Sequence, residues 1–290
     1  MNLKELLRKL KDMGLDASDV LGLTPKELAR LLKVDRKVAK ALLEELSREK
    51  AYFVSADRLL TPKAKLSTGI SDLDRALRGG LPLGSINLVY GPPGSGKTQL
   101  AMFLTARSLL SVDRGGIGSE ISVYIDTEGA LSFERLSKML EGLSVKEGLE
   151  RILVMNVSGP LHLKEAVKKA IEVKNSKFIA IDSISAPFKG YTGLQELPER
   201  QGELALILRY LRTFSDRGGI VLLTSHVIGI KENLRPLGGF LVGHMPHNVF
   251  YLRRVKREVR LLKVVSSPYL PQTEAVFRIT ERGLEDLHKG

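Results

Sequence analysis

Residues Gly91-Pro92-Pro93-Gly94-Ser95-Gly96-Lys97-Thr98 carry the spacing G-x-x-x-x-G-K-[ST], immediately after an apolar run, Ile86 to Tyr90. The chemistry served by that spacing is polyphosphate binding. Glycines let backbone N–H groups close round the phosphates, the lysine places a cation at the β/γ oxygens, and the threonine hydroxyl can ligand Mg²⁺. A glycine turn beside a surface lysine is the plainer alternative, and the strand-then-turn context disfavours it. The segment from Gly91 to Gln99 is therefore read as a nucleoside triphosphate cradle, with ATP and Mg²⁺ as the expected ligands.

Such a cradle needs carboxylates at neighbouring strand ends, where parallel sheets place their ligands. Asp182 closes Phe178-Ile179-Ala180-Ile181-Asp182, an apolar strand ending in an acid, and fits a role in holding Mg²⁺ or its water. An aspartate there is also a common turn former. Glu128 follows a second apolar run in Tyr124-Ile125-Asp126-Thr127-Glu128-Gly129. It reads either as the base that orients water at the γ-phosphate or as a carboxylate stabilising a helix start.

The elements that must position these groups alternate along the chain. Apolar strand candidates are Ile86–Tyr90, Ile121–Asp126, Ile152–Val157, Phe178–Asp182 and Ile220–Ser225, with helical stretches Thr98–Leu110, Phe133–Glu141, Leu163–Val173 and Glu199–Ser215 between them. Short continuous apolar runs are what buried parallel strands look like. Val249–Val255 and Val259–Val265, with Glu258 near the turn, suggest an antiparallel extension, followed by Ala275–Ile279. The fold class is therefore α/β, a P-loop core with a mostly parallel central sheet. A small all-helical domain, residues 1–50, precedes it: Thr24 and Pro25 start one helix, and Leu42, Leu43 and Leu46 line another. Residues 51–65 form a linker, and 66–290 the core.

With 290 residues, 43% of them hydrophobic, the chain can build one sizeable core plus a small accessory unit. No run of 18 apolar residues occurs, and Met1 to Lys11 is charged and amphipathic rather than a signal peptide, so a soluble, cytoplasmic protein without a membrane partner is expected. Cysteine is absent, which excludes disulfides and thiolate metal sites. A net charge of +12 points to a polyanionic partner such as nucleic acid, or to a solvated lysine-rich surface.

Taken together, Ser67-Thr68-Gly69-Ile70-Ser71-Asp72-Leu73-Asp74, Gly79-Gly80-Leu81, the P-loop with Gln99-Leu100, the Tyr124–Gly129 segment with Glu134-Arg135-Leu136, Glu196–Gln201 and Ser267-Pro268-Tyr269-Leu270-Pro271 resemble the RecA/RadA recombinase family, in the family's order. The resemblance implies a RecA-type ATPase core and a catalytic Glu128, with Lys97 and Asp182 acting on Mg·ATP. It also implies that Arg135 stacks on adenine from the same subunit and that Pro271 closes over it from the next. Phe53 and Ala56 match the family's F-x-x-A oligomerisation motif. Their alternative is packing on their own core.

Several positions depart from the family pattern. The hairpin Leu32-Lys33-Val34-Asp35-Arg36 lacks the glycines that turn N–H groups toward DNA phosphates. Leu194 stands where the first DNA loop usually carries arginine, the second loop (about 228–237) is short, and Ser266 replaces an aspartate of the ATP cap. His226 occupies the position of a glutamine that senses the γ-phosphate, and it reads as that sensor or as a core residue. The expected DNA contacts are Lys189, Lys231 and Arg235 in the loops and Arg200 on the following helix, with Tyr191 as a base-stacking or plain surface tyrosine. Arg253, Arg254, Lys256, Arg257 and Arg260 form a basic hairpin, for DNA or simply solvated.

These departures touch coupling and spare the cradle. The expectation is a DNA-dependent ATPase of homologous recombination and repair that binds single-stranded DNA and assists or forms filaments, as a RadA paralogue. Alternatives are the principal strand-exchange recombinase, or an ATP-binding regulatory partner with little turnover. A P-loop kinase or transport ATPase predicts an acceptor lid or membrane surface, of which the sequence offers no obvious sign.

Overall fold

The computed structural model describes residues 3–13, 20–51, 63–140, 142–190, 197–229 and 234–287. Phe53, Ala56, Tyr191, Leu194 and Lys231 lie outside the described residues. The chain divides into two compact units, Met1–Pro62 and Lys63–Gly290.

In the first unit, α1 (Leu3–Asp12), α2 (Pro25–Leu32) and α3 (Arg36–Lys50) bury Leu6, Leu10, Leu28, Leu32, Leu42 and Leu46 against one another. Thr24 and Glu27 close a reciprocal capping box at the start of α2, with Pro25 at its first position. The turn into α3 is made without glycine. Lys33 takes φ 54°, a left-handed conformation that costs a lysine on the order of 1 kcal/mol. Its neighbours' N–H groups are spent inside the turn, Val34 on the Ala29 carbonyl and Lys37 on the Asp35 carboxylate.

The second unit is built on a nine-stranded sheet. Its strands are β1 (Ser85–Tyr90), β2 (Ile121–Asp126), β3 (Ile152–Asn156), β4 (Ser176–Asp182), β5 (Ile220–Ser225), β6 (Asn248–Arg254), β7 (Val259–Ser266), β8 (Glu274–Thr280) and β9 (Gly283–Asp286). The spatial order is β9-β8-β7-β6-β1-β5-β4-β2-β3, parallel from β6 through β3. β7, β8 and β9 extend it as an antiparallel meander. β6 thus does two jobs, pairing parallel with β1 and antiparallel with β7.

β1 and β5 are buried along their whole length on both faces, so their runs are mostly apolar rather than alternating. Their buried polar residues Ser85, Asn87, Thr224 and Ser225 are hydrogen-bonded inside. α4 (Lys97–Ser108) packs on one face and is buried nearly all round, its apolar middle Leu100–Leu104 in the core and polar residues such as Lys97 and Thr105 enclosed with it. α5 (Pro160–Ile171) and α6 (Leu197–Asp216) cover the other face, with Leu163, Val167, Leu204, Ile207, Leu208 and Leu211 buried against it.

The structure departs from the sequence expectation in short elements. The helix beginning at Phe133 stops at Ser137, and a second, Val145–Glu150, starts from the Ser144 cap after Gly142 at φ 78°. The terminal strand β9 was too short and polar to read from its pattern.

Candidate functional site

The sheet order brings the carboxyl ends of β1, β5, β4 and β2 side by side, and each delivers one part of the site. From β1 the chain turns through Gly91–Gly96 into α4. Gly94 and Gly96 sit at φ 72° and 105°, and a Cβ on Gly91 would lie 2.1 Å from the Leu252 carbonyl oxygen, so only glycine fits. The first-turn N–H groups of α4, without partners inside the helix, face this loop. Lys97 is buried, and its Nζ donates to the carbonyls of Gly91 (2.9 Å) and Pro92 (3.1 Å). Burial lowers the pKa of its ammonium group, opposed by the charges of Asp182 and Glu128. The Ser95 hydroxyl is buried in the loop without a protein partner.

β4 delivers Asp182. Its carboxylate accepts hydrogen bonds from Tyr124 (3.0 Å), Thr224 and Thr98, and burial raises its pKa despite those donors. Thr98 and Asp182 are therefore in contact across the cradle. Among the described residues no group of three or more His, Asp or Glu could hold a metal by itself. A threonine and one acid, completed by phosphate oxygens and water, is the donor set that suits Mg²⁺.

β2 delivers Glu128 through a turn organised by Asp126. That buried carboxylate collects the N–H groups of Glu128 (3.0 Å), Gly129 (2.8 Å), Ala130 (3.3 Å) and Leu131 (2.9 Å). The Glu128 side chain is half-exposed. Its Oε1 accepts from Ser183 Oγ at 2.7 Å and is hydrogen-bonded to His226 Nε2. Burial raises the Glu128 pKa, but the Ser183 and His226 bonds and the nearby Lys189 charge outweigh it, leaving the carboxyl below its ordinary range.

β5 delivers Thr224 and His226. The His226 N–H donates to Ser185 Oγ at 3.1 Å, and its carbonyl accepts from Leu237 N at 2.8 Å, which ties it to the two-stranded turn of Val227–Ile228 and Arg235–Pro236. Lys97, Thr98, Asp182, Glu128 and His226 thus converge at four adjacent strand ends.

A cavity of about 230 Å³ opens beside the loop, lined by Gly94, Gly96, Lys97, Thr98, Gln99, Arg260 and Ile279. Arg260 is the unexpected member. Grouped in sequence with the hairpin cations, it is only 8% exposed and its Nε has no protein partner, whereas Arg253, Arg254, Lys256 and Arg257 face solvent. Strand alternation alone could have signalled this inward turn.

Gln99 accepts from Arg135 Nε at 2.6 Å, and the Arg135 guanidinium also donates to the carbonyls of Thr280 and Glu281. Arg135 is thereby fixed beside the cradle. In the loop Pro92 is half-buried and Pro93 exposed, while Pro271 is exposed in the turn between β7 and β8. Lys189 is exposed and close enough to act on both Lys97 and Glu128, Arg235 is exposed on its short strand, and Arg200 is half-buried on α6 with its Nε unpartnered. Sequence reasoning missed Tyr124, Asp126, Ser183 and Thr224, which hold the two acids.

The Rad51 family model matches residues 62–287. The chain belongs to the Rad51 family. Curated relatives of this Rad51-family chain include DNA repair protein RAD51 homolog 1 of Arabidopsis thaliana, 32% identical across 97% of this chain and 87% of its own length. DNA repair protein RAD51 homolog A of Zea mays is 31% identical across 97% and 88%. Among the described residues of this Rad51-family chain, no helix is long and apolar enough to cross a membrane.

Proposed function

We propose that this Rad51-family chain is a Mg²⁺-dependent ATPase of homologous recombination and DNA repair, stimulated by single-stranded DNA, and a paralogue rather than the principal strand-exchange enzyme. The observation that carries the reading is the placement of Glu128 within the electrostatic reach of Lys97, on a turn built by Asp126. The repair assignment draws support from the names of the relatives.

The cradle fits a triphosphate: Gly91 leaves no room for a side chain, Ser95 carries an orphaned buried hydroxyl, and Arg260 adds a second cation. Thr98 and Asp182 would hold Mg²⁺, whose charge, when bound, neutralises phosphate oxygens. Lys97 exchanges its bonds to the Gly91 and Pro92 carbonyls for bonds to phosphate, at little cost in new desolvation because it is already buried. Glu128 orients the attacking water and takes its proton on Oε2, since Oε1 is occupied by Ser183 and His226. His226 links that carboxylate to the segment ending at Leu237, so DNA held by Lys189, Arg200, Lys231 and Arg235 reaches the base through it. Neighbouring subunits or a principal recombinase, joined through Phe53 and Ala56 and capped by Pro271, complete the proposed assembly.

ATP turnover with and without single-stranded DNA, at two salt concentrations, tests this. Stimulation that fades with salt supports it, because phosphate contacts release counterions. Turnover indifferent to DNA removes the DNA half, and strand exchange by the purified chain alone replaces the paralogue reading. A second reading, an ATP-binding regulator with little turnover, is favoured by the His226 bond that engages Glu128. Retained ATP affinity with negligible hydrolysis in the presence of DNA and recombinase would select it.

A further inference from the structure

The amino end of β1 borders a second cavity, of about 420 Å³, whose polar lining includes Lys63, Lys65, Arg212, Ser215, His247 and Tyr269. The ligands of open α/β sheets gather at strand carboxyl ends. This cavity lies at the opposite end, separated from Gly91 by the length of β1, roughly 20 Å at the usual rise per residue.

Its donors have too few acceptors. His247 Nδ1 accepts the Ile86 N–H at 2.9 Å, so in the neutral ring the hydrogen sits on Nε2. Burial and the Arg212 charge both lower the His247 pKa, which favours that neutral form. Yet Nε2 stands 2.9 Å from Arg212 Nη1, which is also a donor. Two N–H groups therefore face each other with no acceptor between them. Ser215 is 0% exposed and its hydroxyl has no protein partner. Tyr269 accepts from Asn248 Nδ2 at 2.6 Å, which leaves its own O–H free to donate.

Lys65 Nζ gives one hydrogen to the Arg78 carbonyl at 2.6 Å and has others to spare. Asp216, the carboxylate in the lining, takes Arg212 Nε at 2.8 Å and offsets only part of the charge of Lys63, Lys65 and Arg212.

We propose that this cavity is an anion site for a phosphate group, distinct from the P-loop. Its donors arrive from the segment at 63–65, from α6, from the turn before β6 and from the turn after β7. A tetrahedral phosphate presents oxygens in all those directions, while a planar carboxylate has two in one plane. A phosphate oxygen seated on the cavity side of His247 Nε2 and Arg212 Nη1 accepts from both and removes their conflict. The source is either free phosphate or the backbone of a nucleic acid.

The test is nitrogen-15 NMR of the His247 ring in the full chain, titrated with inorganic phosphate. The readout is local, so phosphate on the P-loop does not enter it. A saturable shift of Nε2 is expected, weakened about tenfold or more by Arg212→Ala and about two- to fivefold by Ser215→Ala, with ATP turnover unchanged. Arg212→Lys, which keeps the charge, should retain part of the affinity. A short single-stranded oligonucleotide that moves the resonance and competes with phosphate assigns the site to a nucleic-acid backbone. An oligonucleotide without effect, beside responsive inorganic phosphate, assigns it to the free ion. No phosphate response, an unaltered response in Arg212→Ala, or an equal shift with acetate would overturn the proposal, the last in favour of a carboxylate from a protein surface.

Discussion

At its carboxyl end β1 runs into a cradle made largely of backbone; at its amino end it starts beside a cavity lined by side chains. The cradle comes mainly from one continuous segment, Gly91 to Thr98, where glycines allow the close approach and Lys97 supplies charge, with Arg260 of β7 as a second cation beside it. The second cavity draws Lys63, Arg212, His247 and Tyr269 from four distant parts of the chain. A backbone site is rigid before its ligand arrives and tolerates little substitution. A side-chain site depends on packing and can be altered one residue at a time.

The largest expected effect comes from the first end. Lys97→Ala and Glu128→Gln should each lower ATP turnover by about a hundredfold or more, one by removing transition-state charge stabilisation and the other by removing the base. Steady-state phosphate release checks this, and a loss under threefold in either variant would dissolve the distinction between the two ends.

Next is the layer that holds the acids. Asp126→Ala strands four turn N–H groups and should lower stability by about 2 kcal/mol or more while reducing turnover about tenfold. Thermal unfolding alongside kinetics separates the two effects. Smaller again, His226→Ala should cut the ratio of DNA-stimulated to basal turnover about three- to tenfold, the scale of one hydrogen bond to a charged group. An unchanged ratio would show that the His226–Glu128 bond does not couple DNA to hydrolysis.

The smallest effect concerns pH. Glu128 is held below its ordinary range, so the stabilisation of its carboxylate is fully present above the unfolded pKa and is lost as pH falls through the lower folded value. Ser183→Ala removes one of the hydrogen bonds that produce this lowering, so the acid limb of the rate profile should move to higher pH. A limb that stays put would mean that another group governs it.

The parallel strands were legible because each is a short, mostly apolar run, buried on both faces except at the edge strand β3, and Asp182 because it ends such a run. Glu128 was legible as an acid after a strand, while its choice of role needed the resemblance. Asp126 was visible as a residue but not as the hub of its turn, since four converging N–H groups leave no trace in composition. Arg260 was read with its basic neighbours because charge clustering hid the alternation that turns it inward. His247 and Arg212 meet only through the packing of α6 against the start of β1, a contact that nothing in local sequence announces.

The most direct test of the central claim is single-turnover ATP hydrolysis by the full chain with single-stranded DNA, comparing native protein with Glu128→Gln at saturating Mg·ATP. The account predicts DNA-stimulated cleavage in the native chain and loss of the chemical step in the variant, with ATP binding retained. Equal cleavage in the two proteins would contradict it.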